Sequence, residues 1–285
     1  MHNYLLIIIL DALYTASFMG IGSPVPYEEM KQRTKADEKS LKNGINFAFG
    51  GTGVFTTIFI LPNMTTQIDF FQELIEENVY TKHDLNSSIA LVSLAGNDYT
   101  TYMAYNGTQQ GLPAFTKSVI KQLSMDLKRI HDFGVRNIGV TAMEPLGCLP
   151  TSTALSSYTK CNQTDNTATR FHNHVLQQAV RELRNQNKDA NIVILDLYTA
   201  FMSMLKEHKN HPGEWGTRKF VHPLRPCCLG VSKEYSCGSV SDTGAKKYVV
   251  CDNPKLSFFW DHVHPSHQGW HAVYSVLRPS LNQLY

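Results

Sequence analysis

The sequence lacks the features that mark nucleic-acid-binding, membrane-spanning and repeat proteins. Its 26 lysines and arginines nearly balance its 24 aspartates and glutamates, so the formal net charge is only +2. No long basic stripe appears, and this balance gives no reason to expect a nucleic-acid partner. The apolar run Leu5–Leu10 is cut short by Asp11, so it is too short for a transmembrane helix and we expect no stable membrane insertion.

Inter-domain linkers and internal repeats are also missing, so residues 1–285 are expected to form one domain. A secretory signal peptide is poorly supported, because the first residues lack a basic region and the apolar region is short. The first ten residues are therefore open to three interpretations: a signal, a strand or an artefact of the gene model.

Apolar runs alternate with helix-capable stretches through the middle of the chain. Strands are predicted at Ile89–Ala95, Val135–Ala142 and Asn191–Leu197, with helices at Pro113–Phe133 and Asn166–Asn187. This alternation predicts βαβ units and a mainly parallel sheet, which is an α/β fold. A last helix is predicted from Ser266 to Leu277, ended by Pro279, and His211–Asn253 is expected to be an irregular surface excursion.

The most informative run is Phe259-Trp260-Asp261-His262-Val263-His264-Pro265-Ser266. It places a carboxylate and an imidazole three residues apart, so Asp261 could orient the ring of His264 and stabilise its protonated form. His264 would then serve as a general base. A metal site built from His262, His264, His267 and His271 is the alternative, but the spacing follows no zinc motif and we expect neither a metal nor another cofactor.

Two further segments carry groups that could stabilise an oxyanion. The first is the glycine-rich stretch Gly44–Gly53, and the second is the apolar run that ends in Gly96-Asn97-Asp98. Functional side chains gather at the carboxyl ends of strands in an open α/β sheet. A glycine N–H and an asparagine amide could both point at a developing negative charge there.

Taken together, these blocks resemble the plant GDSL esterase/lipase family of the SGNH hydrolase superfamily. The resemblance rests on Asn46-Phe47-Ala48 with Gly51 and Gly53, on Gly96-Asn97-Asp98, on Pro145-Leu146-Gly147-Cys148-Leu149-Pro150, and on Asp261-x-x-His264. It implies a flavodoxin-like three-layer α/β/α fold. It also implies that Gly53 and Asn97 are oxyanion donors, that His264 is the base and that Asp261 orients it. Of the neighbouring glycines 50, 51 and 53, the sequence does not decide which one is the donor.

The family's first block, Gly-Asp-Ser with its nucleophilic serine, is absent from this chain. Ser23 lies in a segment that resembles a later family loop, and we do not expect it to be the nucleophile. The resemblance implies an N-terminally truncated domain whose interior first strand is missing or replaced. Because unpaired buried backbone groups cost about 1–3 kcal/mol each, such a chain should fold only if Tyr4–Leu10 fills the vacant place or the sheet rearranges.

Three functional hypotheses therefore stand. The first is a carboxylic ester hydrolase acting on lipid or other acyl esters, with the nucleophile outside this sequence. The second is a catalytically inactive relative that acts as a secreted binding protein, and the third is a fragment from an incomplete gene model. The sequence leaves the oligomeric state open.

The six cysteines and four glycosylation sequons favour a secreted protein. Six cysteines permit fifteen pairings, of which Cys148–Cys161 is the one we expect, because it would close a short loop after a strand. Zinc binding by Cys227 and Cys228 is the rival and lacks a Cys-x-x-Cys pair. The sequons lie at Asn63, Asn86, Asn106 and Asn162.

Overall fold

A parallel sheet dominates the described part of the chain. A computed structural model describes residues 5–6, 20, 22–32, 41, 43–94, 96–206 and 220–285. Within them, six strands pair in parallel in the order β2-β3-β1-β4-β5-β6. The strands are β1 Leu5–Leu6, β2 Val25–Pro26, β3 Ile45–Asn46, β4 Ile89–Val92, β5 Asn137–Ala142 and β6 Asn191–Asp196.

Strand β1 occupies an interior place in this sheet. Leu6 pairs with Asn46 of β3 on one side, and Leu5 pairs with Ala90 of β4 on the other. Leu5–Leu6 therefore occupies the interior place that the sequence analysis left open, between β3 and β4. The order β3-β1-β4-β5-β6 is the flavodoxin-like order, with β2 added at one edge. Residues 7–19, which include Asp11, lie outside the described residues.

Strands β4, β5 and β6 are each shorter than the apolar run that predicted them. Strand β4 ends at Val92 rather than Ala95, because the chain turns into a helix at Gly96, which has φ 77°. Strand β5 begins at Asn137 rather than Val135, after a turn at Gly134 with φ 108°. β4 and most of β5 and β6 are buried, as expected for a parallel sheet covered on both faces.

Nine α-helices lie in the described residues. They are α1 Tyr27–Lys31, α2 Met64–Glu76, α3 Lys82–Asn86, α4 Asn97–Ala104, α5 Leu112–Asp132, α6 Pro150–Thr153, α7 Gln163–Gln186, α8 Leu197–Lys206 and α9 His267–Leu281. Helices α5 and α7 confirm the two predicted long helices, and α7 starts earlier than expected because Asn162 accepts a hydrogen bond from the Thr164 N–H. Among these helices, none has the length and apolar character needed to cross a membrane.

Pro279 does not end the last helix, so that prediction is wrong. Helix α9 continues through it to Leu281. A proline removes one intrahelical N–H, which is tolerated here because buried apolar side chains hold the tail. Leu281 and Leu284 are almost fully buried, and Leu284 lies where a side chain on Gly139 of β5 would stand.

The chain divides into two compact units. The first comprises Met1–Met143, Arg170–Asp196 and Leu277–Tyr285, and holds the sheet. Its core packs around β3, β4 and β5 and includes the fully buried Phe47 and Phe71. This architecture is an α/β fold with a mainly parallel sheet, consistent with a three-layer α/β/α arrangement.

The second unit comprises Glu144–Thr169 and Leu197–Val276. All three disulfides lie in it, and they pair Cys148 with Cys161, Cys227 with Cys251, and Cys228 with Cys237. The expected Cys148–Cys161 pairing is thus confirmed, and the adjacent cysteines form disulfides in place of a zinc site. In the predicted excursion, the described residues 220–253 form mostly turns and one hairpin, β7 Cys228–Gly230 with β8 Tyr248–Val250.

Candidate active site

The Asp261–His264 loop closes on itself through the aspartate side chain. Its Oδ1 accepts hydrogen bonds from the backbone N–H groups of Val263 and His264, at 2.9 and 2.8 Å. The ring Nδ1 of His264 lies 2.8 Å from Asp261 Oδ2 and 3.0 Å from Oδ1. The structure therefore makes the expected contact between the two side chains, and one carboxylate fixes both the loop and the ring.

Two layers of structure hold this loop in the second unit. The disulfide-bonded Cys227 and Cys228 donate backbone hydrogen bonds to the carbonyls of Phe259 and Trp260, at 3.1 and 2.7 Å. Beneath them, Phe258 packs edge-on against Phe201, with ring centroids 5.3 Å apart. The loop is thus attached to a cross-linked hairpin on one side and to an aromatic cluster on the other.

The electrostatics of the pair favour the ionised carboxylate and the protonated imidazole. The pKa of the Asp261 carboxyl is lowered, because hydrogen bonds from His264 and the loop backbone outweigh the opposing effect of burial. The pKa of His264 is raised, chiefly by its hydrogen bond to Asp261. An ionised carboxylate can only accept, so Nδ1 carries the hydrogen and Nε2 is the basic nitrogen. The His264 side chain is 49% exposed, which leaves the ring accessible to a substrate.

Glu144 is a third ionisable group that interacts with this pair, and the sequence analysis assigned it no role. Burial raises the pKa of its carboxyl to about 7, and the charge of His264 partly offsets that rise. In return Glu144 adds to the raised pKa of His264. An acidic residue in a segment otherwise rich in apolar residues, Met143–Pro150, was the only available signal.

The segment that follows Glu144 is tied to the start of α7 and, at one point, to the histidine loop. The Gly147 N–H donates to Asn166 Oδ1 at 2.9 Å, and the Asn162 N–H donates to the Gly147 carbonyl at 2.7 Å. Further along, the Thr151 N–H donates to the carbonyl of His262 at 2.9 Å. Thr151, three residues after Cys148, therefore links this segment to the histidine loop within the same unit.

The other pair of predicted residues meets in the first unit. Asn97 is the first residue of α4, and its amide Nδ2 donates to the carbonyl of Thr52 at 2.9 Å. The next residue, Asp98, accepts hydrogen bonds from the backbone N–H groups of Val54 and Phe55, both at 2.9 Å. The start of α4 therefore holds the glycine-rich loop at two consecutive positions.

Asp98 positions the glycine-rich loop, a role that the sequence analysis did not assign to it. Burial raises the pKa of its carboxyl, and the hydrogen bonds from Phe55 and Val54 only partly offset this. Because both oxygens have backbone partners, the carboxylate is satisfied inside the protein. Its contacts with residues forty or more positions away leave no local signal.

The three neighbouring glycines differ in what their positions require. A Cβ on Gly53 would lie 2.3 Å from the Asp98 carboxylate. Only glycine therefore fits at this position while Asp98 keeps its hydrogen bonds to Val54 and Phe55. Gly51 has φ 83° and would meet the ring of Phe59, whereas a Cβ on Gly50 would have nothing within 4 Å. Close packing therefore singles out Gly53 as the glycine that Asp98 holds in place.

The structure thus brings the predicted residues together in two pairs, Asp261 with His264 and the Gly53 loop with Asn97. The first pair belongs to the second unit and the other to the first unit. Ser23 is an exposed residue in the described segment 22–32. Across the described residues, no three histidines, cysteines or carboxylates gather in a way that could hold a metal ion.

The four sequon asparagines fall into two groups. Asn86 and Asn106 are exposed, the first at the end of α3 and the second after α4. Asn63 and Asn162 are half-buried and cap helices, since their Oδ1 atoms accept from the backbone of Thr66 and Thr164, at 3.1 and 2.9 Å. Whether any of them is glycosylated stays a prediction.

A histidine oriented by an aspartate is an arrangement that serine hydrolases of several unrelated folds share, and here it accompanies a parallel sheet in flavodoxin-like order. The family model described as GDSL-like Lipase/Acylhydrolase matches residues 9–277, and the chain belongs to this family. It is 50% identical to GDSL esterase/lipase At5g03610 of Arabidopsis thaliana, over 94% of this chain and 73% of that protein. It is 45% identical to GDSL esterase/lipase At3g09930 of the same plant, over 95% and 76% of the two chains. Acetylajmalan esterase 2 of Rauvolfia serpentina is 26% identical, over 85% of this chain and 70% of that protein.

Proposed function

We propose that this chain carries the base and the oxyanion-stabilising groups of a carboxylic ester hydrolase that acts on lipid or other acyl esters. The observation that carries the proposal is the contact of His264 Nδ1 with both oxygens of Asp261, at 2.8 and 3.0 Å. A histidine held in this way presents one tautomer, with its basic nitrogen free for a hydroxyl proton. Membership of an esterase/lipase family agrees with that chemistry.

In the proposed reaction, His264 Nε2 takes the proton of a nucleophilic hydroxyl as that oxygen attacks the ester carbonyl. Asp261 stabilises the imidazolium that forms, and the Gly53 N–H and the Asn97 amide bind the oxyanion of the tetrahedral intermediate. The intermediate collapses to an acyl-enzyme when the alcohol leaves with the proton from His264. Water then attacks the acyl group in the same manner, and His264 again moves the proton.

The nucleophile is the part that this sequence does not supply in recognisable form, because no Gly-Asp-Ser occurs in it. That observation favours a second candidate function, a catalytically inactive relative that binds its ligand without hydrolysing it. Both candidate functions require the same fold. They differ in whether His264 takes a proton from a nucleophile during a reaction.

Hydrolysis of 4-nitrophenyl acetate by the purified chain separates the two candidates. Oxyanion donors and substrate binding alone retain about 10³–10⁴-fold acceleration over water when a triad member is missing. His264 can in addition act as a general base for an attacking water, so we expect slow hydrolysis that His264→Ala lowers to the rate that the oxyanion donors and binding sustain. His262→Ala is the matched control, because it removes an exposed imidazole from the same loop. Equal rates for the chain, both variants and buffer would support the binding protein and contradict the hydrolase.

We also propose that the protein passes through the secretory pathway. Three disulfides and four sequons support this, because disulfides persist in oxidising compartments and sequons are modified there. For protein isolated from plant cells, treatment with a peptide N-glycosidase should increase electrophoretic mobility. Unchanged mobility, together with reduced cysteines, would contradict the proposal.

A further inference from the structure

A cavity of about 230 Å³ lies beside α4 in the first unit. Its lining consists of four aromatic side chains, two hydroxyl side chains, one glycine and one carboxylate. Among these residues are Phe55, Thr56, Asp98, Tyr102, Tyr105 and Phe115. Tyr105 is 72% exposed, so it stands at the mouth of the cavity. We call this cavity the aromatic pocket.

The aromatic side chains form one packed set around Phe115. The Tyr102 ring stacks on Phe115 with centroids 4.5 Å apart and an interplanar angle of 20°. Phe55 lies 6.3 Å from Phe115, and Tyr99 meets the same ring edge-on at 5.7 Å. Rings held against one another in this way form a preformed wall, which costs little ordering when a ligand binds.

The aromatic pocket reaches the glycine-rich loop of the proposed oxyanion donors, because a Cβ on Gly53 would lie 2.3 Å from the carboxylate of Asp98, one of the pocket's lining residues. Asp98, which lines it, directly follows Asn97, and Phe55 lies two residues after Gly53. The Asp98 carboxylate joins the two, because it accepts the Phe55 N–H at 2.9 Å. An ester carbonyl bound by these donors would therefore have the pocket beside it.

The chemistry of the lining restricts the ligand. Both oxygens of Asp98 are already hydrogen-bonded to backbone N–H groups, so the pocket does not call for a cation. A cavity of 150 Å³ lined by apolar side chains is large enough for benzene, and drug-sized ligands occupy about 300–1,000 Å³. A volume of about 230 Å³ lies between these limits and fits one ring or a short chain.

We propose that the aromatic pocket receives the acyl group of the ester, and that this group is a single aromatic ring or a short aliphatic chain. The inference rests on the proposed ester hydrolase function. It adds a substrate class, small apolar acyl esters, and assigns Phe55, Tyr102 and Phe115 to substrate binding.

Fluorine NMR of methyl 4-fluorobenzoate, a neutral ester with one ring, tests the assignment without any need for turnover. We expect the ligand signal to broaden and shift on addition of the purified chain, and methyl hexanoate to reverse the effect by competition. Thr56→Trp places an indole at the exposed edge of the pocket and should abolish binding. Thr100→Trp is the matched control, because Thr100 is an exposed threonine on α4 outside the lining, and it should bind as the parent does.

Phe115→Leu keeps an apolar side chain but removes the ring. It provides a second test of the pocket if the tryptophan variant does not fold. Loss of aromatic contacts should weaken binding about two- to tenfold. Absence of binding, or equal binding by the Thr56→Trp and Thr100→Trp variants, would overturn the inference even if hydrolysis depends on His264. Binding that these variants change as expected, with hydrolysis indifferent to His264→Ala, would keep the pocket and overturn the proposed hydrolase.

Discussion

Asp261 and His264 stabilise each other's charged forms, and this sets the pH range in which the pair stabilises the fold. The folded-state pKa of Asp261 lies below its ordinary value of 3.8, so its contribution is present above 3.8 and lost as the pH falls through the lowered pKa. The folded-state pKa of His264 lies above 6.5, so its contribution is present below 6.5 and lost as the pH rises through the raised pKa. The pair therefore stabilises the protein fully between these two values, whereas a neutral His264 base requires a higher pH.

Asp261→Asn should lower the pKa of His264, because the hydrogen bond to Asp261 is the largest cause of its raised value. Proton NMR titration of the ring follows this directly, and any His264-dependent hydrolysis should then begin at lower pH with a smaller maximal rate. Asp242→Asn serves as the control, since Asp242 is exposed on the β7–β8 excursion. An unchanged His264 titration in the Asp261→Asn variant would show that the carboxylate does not hold the ring in solution.

Glu144→Gln should remove a dependence of stability on pH. The folded state holds the Glu144 proton more tightly than the unfolded chain does, with a pKa of about 7 against 4.5. The free energy of unfolding of the parent should therefore fall as the pH rises from 4.5 through 7 and then level off for this group, and that fall should be smaller in the variant. Urea unfolding at pH 5 and pH 8 measures the difference.

The exposed Glu234 provides the comparison for this measurement, as Glu234→Gln should leave the pH dependence as it is. Loss of the Glu144 charge should also lower the pKa of His264, because Glu144 contributes to raising it. Identical pH dependences for the parent and the Glu144→Gln variant would contradict a raised pKa of the Glu144 carboxyl.

Single residues could be predicted from the sequence where their partners are local. Asp261 and His264 are three positions apart, so one motif carried both. Glu144 and Asp98 could not be assigned in this way, because the sequence does not state what lies near them: Asp98 meets Val54 and Phe55 across 44 and 43 positions. Which of the three glycines has room for a side chain likewise depends on the space around each Cα, and the identity of the oxyanion donor stays a prediction.

At the scale of elements, buried apolar runs predicted the strands and long helices to within a few residues. Strands β4, β5 and β6 and helices α5 and α7 carry that pattern through several turns or pairs. From the sequence, a strand was only one of three interpretations of the first ten residues. The pairing of Leu5–Leu6 with β3 and β4 depends on a vacant place in the sheet, which the local sequence does not show. The predicted end of helix α9 at Leu277 is too early, because the sequence shows Pro279 but not the burial of Leu281 beyond it.

The loop that carries Gly53 gives a prediction at this scale. Gly53→Ala should destabilise the protein by about 1–3 kcal/mol, because the new Cβ would lie 2.3 Å from a carboxylate that two backbone hydrogen bonds fix. Gly50→Ala, in the same loop, meets nothing within 4 Å and should change stability by less than about 0.5 kcal/mol. Thermal unfolding of the two variants compares them, and equal melting temperatures would mean that Asp98 does not hold the loop.

At the scale of the whole molecule, the chain as written should not react with a fluorophosphonate probe, which labels only an activated nucleophile. Removal of a triad member in well-studied proteases costs about 10⁴–10⁶ in rate, so the described base cannot compensate for a missing serine. Mass spectrometry of the treated protein reports the outcome. Stoichiometric labelling that Ser23→Ala removes would contradict the prediction, and labelling only of a longer chain with a Gly-Asp-Ser block ahead of residue 1 would support it.

The order of the histidine loop depends on which disulfides the two adjacent cysteines form. Cys227 and Cys228 are consecutive, yet they bond to Cys251 and Cys237, and their own backbone N–H groups hold Phe259 and Trp260. An exchange of partners between these neighbours would shift the backbone that carries the loop while leaving the parallel sheet intact. Material prepared in a reducing host and oxidised afterwards could therefore fold by every spectroscopic measure of the sheet and still lack an ordered Asp261–His264 pair. Disulfide mapping should precede any measurement of activity.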